Sequence, residues 1–318
     1  MLNAEDQPVG DDVAAVDAKP SLHVESREVR IPKGAKYWAV RIGVGVGGAV
    51  STTWIIYAGS APMLAIYLSV LACIGAHEFY RAVRSQNAEP TEFIGIAACI
   101  LFQAAPFFPT VMGVHDVMPF LLSTLMIVTL LVELTKSGVR PIPNVGTTIL
   151  GSLYVGMLLS FFSKLRLLDH AHVTMGNPVT AEHVGAWLVI FVCLVTWMSD
   201  TMGLVTGYMF GKHKLAPAIS PAKTWEGAIG GVLCATLFGA AVGSWLQIGL
   251  VHAVILSFLM GLMGLLGDLC ESALKRDLGL KDFGTIFANH GGVLDRIDSL
   301  LFTAPLSYYY ILFFMQPR

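Results

Sequence analysis

The sequence predicts an all-α, polytopic integral membrane protein with about nine transmembrane helices and active-site loops on the cytoplasmic side. Hydrophobic residues make up 55% of the chain and charged residues only 13%, whereas soluble domains contain about 25% charged residues. The mean hydropathy is +0.67. Apolar segments of about 20 residues, the length that crosses the bilayer core, recur through most of the chain. Lys and Arg are concentrated in alternate loops between these segments, and such enrichment is typical of loops on the cytoplasmic side.

Composition also excludes several functional classes. The formal net charge of -2 is not that of a general nucleic-acid-binding protein, so no nucleic-acid partner is expected. The five cysteines are scattered and form no C-x-x-C pair, a pattern that indicates neither a zinc site nor a disulfide framework. The lipid bilayer is the partner that this composition requires.

The first 36 residues are polar and form a predicted mobile cytoplasmic tail without the apolar stretch of a signal peptide. Brief alternation of apolar and polar residues within 22–31 indicates a short surface strand or an interfacial segment. We divide the remaining chain into N-terminal membrane helices over 37–182 and a C-terminal membrane domain over 183–318. The second of these is predicted to be catalytic because it holds the charged motifs described below.

Each predicted span is an apolar run close to the length needed to cross about 30 Å of hydrocarbon. Very short turns join some neighbours, so the predicted count carries an uncertainty of one in either direction. The predicted spans are 38–57, 61–82, 92–112, 116–136, 145–163, 184–208, 227–248, 250–272 and 298–316.

The distribution of Lys and Arg predicts how the chain is oriented. Basic residues lie in the tail and in every second loop, and the loop over 164–183 is the one that breaks this alternation. Because cytoplasmic loops are rich in Lys and Arg, the loops 210–226 and 273–297 are predicted to face the cytoplasm, where nucleotides are available. We expect the protein in the cell inner (plasma) membrane, with its active site on that face.

An acid lies near the inner end of the sixth predicted span. Asp200 at that depth costs roughly 2.5 kcal/mol or more unless it is paired or hydrated. Such acids are candidates for a functional site by default. The alternative interpretation is an acid at the water boundary that binds no ligand.

The loop before the seventh predicted span combines a helix-start signal with a misplaced charge. Ser220 followed by Pro221 is typical of the N-cap and first position of a helix, where free backbone N–H groups can bind an anion. Lys223 in the first turn would oppose the helix dipole, which makes sense if a phosphate binds there. The alternative is an ordinary basic loop at the membrane surface.

The eighth predicted span ends with glycines followed by acids. Gly261, Gly264 and Gly267 recur every third residue, so one face of this helix allows a neighbouring helix to come close. Asp268 and Glu271 share a face at the predicted helix end, where carboxylates oppose the dipole. A bound divalent cation would relieve that cost.

Another pair of acids, Asp295 and Asp298, begins the ninth predicted span. The helix dipole favours acids there, which is the purely structural interpretation. The preceding His-Gly-Gly at 290–292 instead favours a ligand, because a glycine backbone can lie close to one. We therefore predict that both acids, together with Asp268, hold Mg²⁺ and substrate phosphates.

Basic residues crowd the same loop and could neutralise phosphate oxygens, Arg in a bidentate manner. They are Lys275, Arg276, Lys281 and Arg296. Positioning and charge neutralisation are most of what phosphoryl-type transfer requires of a protein.

With these residues the chain resembles the phosphatidate cytidylyltransferases, also called CDP-diacylglycerol synthases. The family signature has the form S-x-apolar-K-R, then K-D, then H-G-G-x-x-D-R-x-D, and its spacing is kept here. The matching residues are Ser272, Lys275, Arg276, Lys281, Asp282, His290, Gly291, Gly292, Asp295, Arg296 and Asp298. Upstream, the matches are Asp200, Thr201, Lys214, Leu215, Ser220, Pro221, Lys223, Thr224, Glu226, Gly227, Gly267, Asp268, Leu269 and Glu271. The N-terminal half matches only as a set of spans.

The sequence departs from the family pattern at three places. Ala288 stands where Pro, Gly or Ser is usual, and Met202-Gly203-Leu204 replaces the usual Ala-Ala-Tyr. Ala222 interrupts the usual S-P-K-K-T. No expected charged metal ligand is missing, so the resemblance still implies an active enzyme.

The resemblance implies transfer of CMP from CTP to phosphatidic acid, giving CDP-diacylglycerol and pyrophosphate in phospholipid biosynthesis. It implies Mg²⁺ as cofactor, which some members use together with K⁺. The oligomeric state is not determined, and a homodimer is one alternative. The candidate metal ligands are Asp268, Asp295 and Asp298, and the candidate catalytic residues add Lys223 and His290, the latter as a phosphate partner rather than a base. The predicted substrate-binding residues are Asp200, Ser220, Pro221, Thr224, Glu226, Glu271, Ser272, Lys275, Arg276, Lys281, Asp282, Gly291, Gly292 and Arg296.

Three other functions stay open at this point. A CTP-dependent transferase of the same architecture could act on another lipid phosphate or on a long-chain alcohol. A transporter would show paired repeats and acids near the midplane, whereas this sequence shows no repeat and places its acids at predicted span ends. A catalytically inactive scaffold is disfavoured because the expected acids are all present.

Overall fold

The computed structural model describes residues 35–86, 88–108, 117–136, 140–173, 175–177, 183–284 and 291–316. The chain forms two compact units, Met1–Gly43 and Val44–Arg318. The described part of the first unit is the beginning of a helix, and every contact reported below lies within the second unit. The alternating segment predicted at 22–31 lies outside the described residues.

The described chain is mostly helical. Its elements are α1 (Ala35–Ala58), α2 (Ala61–Arg84), α3 (Glu92–Ala104), α4 (Met118–Glu133), α5 (Pro141–Gly151), α6 (Leu158–Arg166), α7 (Val184–Phe210), β1 (Lys214–Ala216), β2 (Ser220–Thr224), α8 (Trp225–Leu246), α9 (Leu250–Asp277) and α10 (Leu294–Phe314). A 3-10 turn, Ala105–Phe107, continues α3, and a π-helical segment, Ser152–Met157, joins α5 to α6.

Six helical segments of the described chain are long and apolar enough to cross a membrane. They are α2, α7, α8, α9, α10 and the continuous segment Pro141–Arg166. The apolar helices Glu92–Phe107 and Met118–Glu133 are shorter, and α1 is not among the six. Each predicted span overlaps a helix within the described residues, but the predicted count of about nine spans is not confirmed. These helices are those of an integral membrane protein.

The all-α prediction needs one correction, because the loop before α8 contains a two-stranded antiparallel sheet. β1 pairs with β2 in a register that matches Lys214 with Thr224. The helix start predicted at Ser220-Pro221 is wrong, because those residues lie in β2. Lys223 therefore extends from a strand and not from a first helical turn.

Two side chains join this hairpin to the start of α8. The Thr224 hydroxyl caps the helix by accepting a hydrogen bond from the N–H of Gly227 at 3.2 Å. The Glu226 carboxylate accepts hydrogen bonds from the backbone N–H groups of Lys212 and His213, at 3.1 and 3.2 Å. The hairpin and the first turn of α8 are thus held as one unit.

Glycine allows α7 and α8 to pack with their backbones in contact. A Cβ at Gly231 would lie 2.8 Å from the carbonyl oxygen of Ser199, closer than real Cβ contacts, and 3.1 Å from the Cα of Gly203, which is tighter than most. Small residues are what permits such close helix crossings within a membrane. This crossing fixes the segment of α7 that carries Asp200.

Candidate active site

Glycine also brings the acids of α9 and α10 together. A Cβ at Gly267 would lie 2.7 Å from the carbonyl oxygen of Asp298 and 3.2 Å from the Phe302 ring, so α10 can cross here only because there is no side chain. Nearly two turns earlier on α9, a Cβ at Gly261 would lie 3.1 Å from the Cα of Val232 in α8. The predicted close approach is confirmed at Gly267 with α10 and at Gly261 with α8, so these glycines admit two neighbouring helices.

Three carboxylates meet at the crossing and are called the acid group below. Asp268 and Glu271 come from α9 and Asp298 from α10, and one oxygen of each lies within 4.8 Å of the others. Glu271 is only 1% exposed, and no donor among the described residues reaches its Oε1 atom. A buried carboxylate oxygen without a partner is costly, and a divalent cation would supply that partner. The donor set fits Mg²⁺, a hard cation that takes oxygen ligands.

Two lysines balance part of this negative charge. Lys223 of β2 places its Nζ 2.8 Å from Oδ2 of Asp268. Lys275 of α9 donates to Oε2 of Glu271 at 2.6 Å and to Oδ1 of Asp295 at 2.9 Å. With Asp298, four acids face two lysines, so the surroundings remain net negative and attract a cation.

Asp295 lies outside the acid group, and its role as a metal ligand stays a prediction. Its Oδ2 accepts hydrogen bonds from the N–H of Gly292 at 2.7 Å and of Phe283 at 3.2 Å, while its Oδ1 accepts from Lys275. These donors occupy both oxygens and fix the backbone before α10. The third carboxylate of the acid group is that of Glu271.

The helix end predicted at Asp268 and Glu271 is also wrong. α9 continues to Asp277, and its last turn carries the basic residues Lys275 and Arg276. Both acids therefore lie more than one turn before the helix end, where the dipole effect has faded. Repulsion among neighbouring carboxylates, and not the dipole, is what a bound cation would relieve.

Asp200 lies beside the acid group. The Ser299 hydroxyl donates to Oδ1 of Asp200 at 3.2 Å, and the backbone N–H of Ser299 donates to Oδ1 of Asp298 at 2.7 Å. α7 thus brings a further carboxylate to the start of α10. Asp200 is exposed, so the alternative of a boundary acid that binds no ligand stays open beside its assignment to the site.

Some predicted substrate-binding residues hold the scaffold together. Arg276 donates to the carbonyl oxygen of Ile219 at 3.0 Å and to that of Leu280 at 3.2 Å, so it ties the hairpin turn to the end of α9. The Ser272 hydroxyl donates to Oδ1 of Asp268 at 3.4 Å and helps to orient it. Thr224 and Glu226 join the hairpin to α8, as described above.

The remaining predicted residues lie near the surface, around α10, or outside the described residues. Gly291 has φ of 80°, a conformation that glycine adopts without strain, and Gly292 is buried. His290 lies outside the described residues, and its role stays a prediction. Ser220 is half-buried, and the exposed residues are Pro221, Lys281, Asp282 and Arg296.

Two buried residues outside the predicted set each have one oxygen without a partner among the described residues. Glu78 of α2 is 4% exposed, and its Oε2 accepts a hydrogen bond from the N–H of Leu294 at 3.0 Å. Tyr154 of the π-helical segment is buried, and its hydroxyl has no hydrogen-bond partner among the described residues. An acid inside a predicted span is itself a functional signal, so Glu78 could have been found. Nothing in the sequence marks Tyr154.

Comparison with known proteins gives the same family for most of the chain. The model of the cytidylyltransferase family matches residues 39–314. A phosphatidate cytidylyltransferase of Bacillus subtilis is 29% identical over 280 residues, covering 86% of this chain and 97% of that protein. One of Synechocystis is 33% identical over 274 residues, covering 80% and 88%. The uncharacterised protein YnbB of Escherichia coli is 37% identical over 161 residues, covering 50% of this chain and 53% of that protein.

Proposed function

Because this chain belongs to the cytidylyltransferase family, we propose that its acid group carries out the phosphatidate cytidylyltransferase reaction. The chain is a nucleotidyltransferase, and this reaction joins phosphatidic acid and CTP to give CDP-diacylglycerol and pyrophosphate. The observation that carries the proposal is the meeting of three carboxylates from two helices beside two lysines. Such a set suits a metal-bound triphosphate.

The residues that would hold the metal are Asp268, Glu271 and Asp298, with Mg²⁺ as the candidate ion; a K⁺ ion beside it stays a prediction. When bound, Mg²⁺ would neutralise negative charge on the phosphate oxygens and on the departing pyrophosphate. Lys275 keeps Glu271 and Asp295 in place through its two hydrogen bonds. The protein thereby orients one carboxylate of the acid group before any substrate arrives.

The transfer requires the protein to position the two substrates and to neutralise the charge on their phosphates. An oxygen of the lipid phosphate forms a bond to the α-phosphorus of CTP, while the bond from that phosphorus to pyrophosphate breaks. The lipid phosphate is already anionic at neutral pH, so no side chain has to remove a proton from it. Lys223 is 19% exposed in its side chain, on a hairpin, and can exchange its contact with Asp268 for a phosphate oxygen.

An apolar groove supports a lipid substrate. It has a volume of about 570 Å³ and lies between α6, α9 and α10. Phe302 lines the groove one helical turn after Asp298, so the groove leads away from the acid group along α10. We assign it to an acyl chain of phosphatidic acid, which would enter sideways from the membrane. Other lining residues are Leu158, Leu259, Met263, Tyr309 and Phe313.

The positions of the basic residues support a site on the cytoplasmic face of the inner membrane. Lys275 and Arg276 end α9, and Arg276 contacts the hairpin that also carries Lys214. These basic residues lie at the same end of the helices as the acid group. Lys and Arg accumulate on the cytoplasmic side of membrane proteins, and CTP is available there.

Transfer of labelled CMP tests the proposed function. Full-length protein in mixed micelles with phosphatidic acid, CTP labelled at the α-phosphate and Mg²⁺ is expected to form labelled lipid. Chelation of divalent cations should stop the reaction, and added Mg²⁺ should restore it. Label placed in the γ-phosphate should leave as pyrophosphate. Labelled product from a long-chain alcohol, with none from phosphatidic acid, would overturn the proposal in favour of another acceptor.

Lys223→Met is expected to lower kcat/KM for CTP by about 10- to 100-fold, because the free energy of one lost hydrogen bond to a charged group corresponds to a rate factor of that size. The reason is that Lys223 is the lysine that can move from Asp268 to a phosphate oxygen. Initial rates against CTP concentration measure the effect. Lys212→Met, which changes an exposed lysine just before the same hairpin, is the control and should stay within about twofold. Wild-type kcat and KM in Lys223→Met would contradict its role.

A further inference from the structure

An acid from the N-terminal half of the chain reaches the start of the helix that carries Asp298. We infer that Glu78 is a positioning residue, whose carboxylate holds the N-terminus of α10 and with it Asp295 and Asp298 in their working arrangement. This inference rests on the proposed function for its effect on catalysis. The contacts that it invokes can be measured without turnover.

The first contact is at the helix terminus itself. Leu294 is the first residue of α10, and its N–H has no acceptor within the helix. Oε2 of Glu78 accepts that N–H at 3.0 Å. The carboxylate thus lies at the positive end of the helix dipole, where a negative charge is favourable. α10 is therefore tethered to α2 at the end that carries the acids.

The second contact is with two glycines that precede α10. A Cβ at Gly292 or at Gly284 would overlap the Glu78 carboxylate, so both backbone segments pass against it without a side chain. Gly292 belongs to the His-Gly-Gly motif at 290–292, whose glycines are predicted to let a ligand come close to the backbone. Its packing against Glu78 gives a different reason for glycine at this position.

The residue after Glu78 supports the same segment. The rings of Phe79 and Phe283 pack with centroids 6.0 Å apart. The backbone N–H of Phe283 donates to Asp295 at 3.2 Å, and the N–H of Gly292 donates to the same oxygen at 2.7 Å. Adjacent residues of α2 therefore hold both of the segments whose N–H groups bind Asp295.

The chemistry of Glu78 favours positioning over general stabilisation. It is 4% exposed within a helix that is apolar enough to cross a membrane, and no donor among the described residues reaches its Oε1. A buried charge is an expensive way to stabilise a fold, and an apolar side chain in its place often serves better. A carboxylate at such a site is expected to have a functional reason.

Three variants of the full-length protein test the inference. Glu78→Ala is expected to lower kcat for CMP transfer by about 100-fold, because small displacements of reacting groups have effects of that size. Glu78→Gln keeps an oxygen acceptor but loses the charge, and an intermediate loss of about 10-fold is expected. Glu133→Gln changes a buried acid of α4 that contacts Lys136 and Asn144, and it should stay within about twofold.

Backbone hydrogen exchange supplies a readout that does not depend on activity. In Glu78→Ala the peptide 291–298 should exchange about tenfold faster or more, while peptides from α7 and α8 stay unchanged. In Glu78→Gln the uncharged acceptor should hold the N–H of Leu294 less strongly, so the peptide should exchange faster than in wild type and slower than in Glu78→Ala. Faster exchange throughout the membrane helices would indicate a merely structural role and overturn the inference.

Wild-type kcat in Glu78→Gln would also overturn it, and this holds even if Glu78→Ala fails to fold. If the wild type transfers no CMP, the proposed function fails, whereas the exchange comparison still decides whether Glu78 holds α10.

Discussion

Asp298→Asn is expected to lower kcat for CMP transfer by about 1,000-fold or more, while the free energy of unfolding stays the same or rises. The carboxylate of Asp298 lies within 4.8 Å of those of Asp268 and Glu271. The substitution removes one proposed metal ligand and also one of three charges that repel each other. Asparagine has nearly the same shape, so the crossing at Gly267 is kept. Activity and stability should therefore change in opposite directions, as expected for a residue kept for function.

Rates of CMP transfer and thermal unfolding in detergent measure the two effects of Asp298→Asn. Equilibrium binding of Mn²⁺, used as a probe for the proposed Mg²⁺ site, adds a readout that is independent of turnover. The matched control is Asp169→Asn, the same change at an exposed loop acid that pairs with His172, which should stay within about twofold. Turnover and Mn²⁺ binding at wild-type levels in Asp298→Asn would remove this residue from the site.

Lys275→Met is expected to reduce both stability and activity. The Lys275 side chain is 12% exposed and donates to Glu271 at 2.6 Å and to Asp295 at 2.9 Å. Its removal leaves two carboxylates buried without their cation, and breaking such a buried pair costs about 3–5 kcal/mol. Methionine preserves length and apolar packing, so the loss reports mainly the charge. The free energy of unfolding in mild detergent is the primary measurement, with CMP transfer as the second.

A double variant separates this pairing from other effects of Lys275. Adding Glu271→Gln to Lys275→Met removes one of the unpaired charges and should recover part of the lost stability, but none of the activity. Lys212→Met controls for the loss of a positive charge at the same end of the molecule. Strictly additive losses in the double variant would show that Lys275 and Glu271 do not stabilise each other.

Local features of the sequence predicted much of this structure. Long apolar runs became helices because backbone groups in a bilayer must be satisfied within the segment. The three-residue glycine spacing on α9 predicted a close helix crossing, and Gly267 lies against the backbone of Asp298. Asp268 and Asp298 were predicted to come together, and they do. Each of these properties depends on residues a few positions apart.

The assignment of the third carboxylate could not be predicted from spacing. Asp268 with Glu271 and Asp295 with Asp298 are both pairs three residues apart, and spacing places each pair on one helix face. In the structure Glu271 faces Asp298, while Asp295 binds backbone N–H groups before α10. The difference depends on how α9 and α10 are rotated against each other, which is set by their packing.

The hairpin shows the same limit for local structure. Ser-Pro is a common helix start, yet Ser220-Pro221 lies in β2. Pairing with β1 and the hydrogen bonds from Lys212 and His213 to Glu226 stabilise the strand instead. Arg276, from the far end of α9, adds a contact to the hairpin turn. These partners lie up to 57 residues away in sequence.

The sequence by itself determined that the chain is a helical membrane protein, which charged residues it carries into the membrane, and which family signature they form. Hydropathy, charge and motif spacing are properties of the chain alone, so they can be read without a fold. Only the tertiary structure decided that Glu271 completes the acid group, that Asp295 secures the backbone, and that Glu78 reaches α10. A buried carboxylate takes whichever donors or charges the packed helices bring within about 3 Å, and that proximity is created by folding.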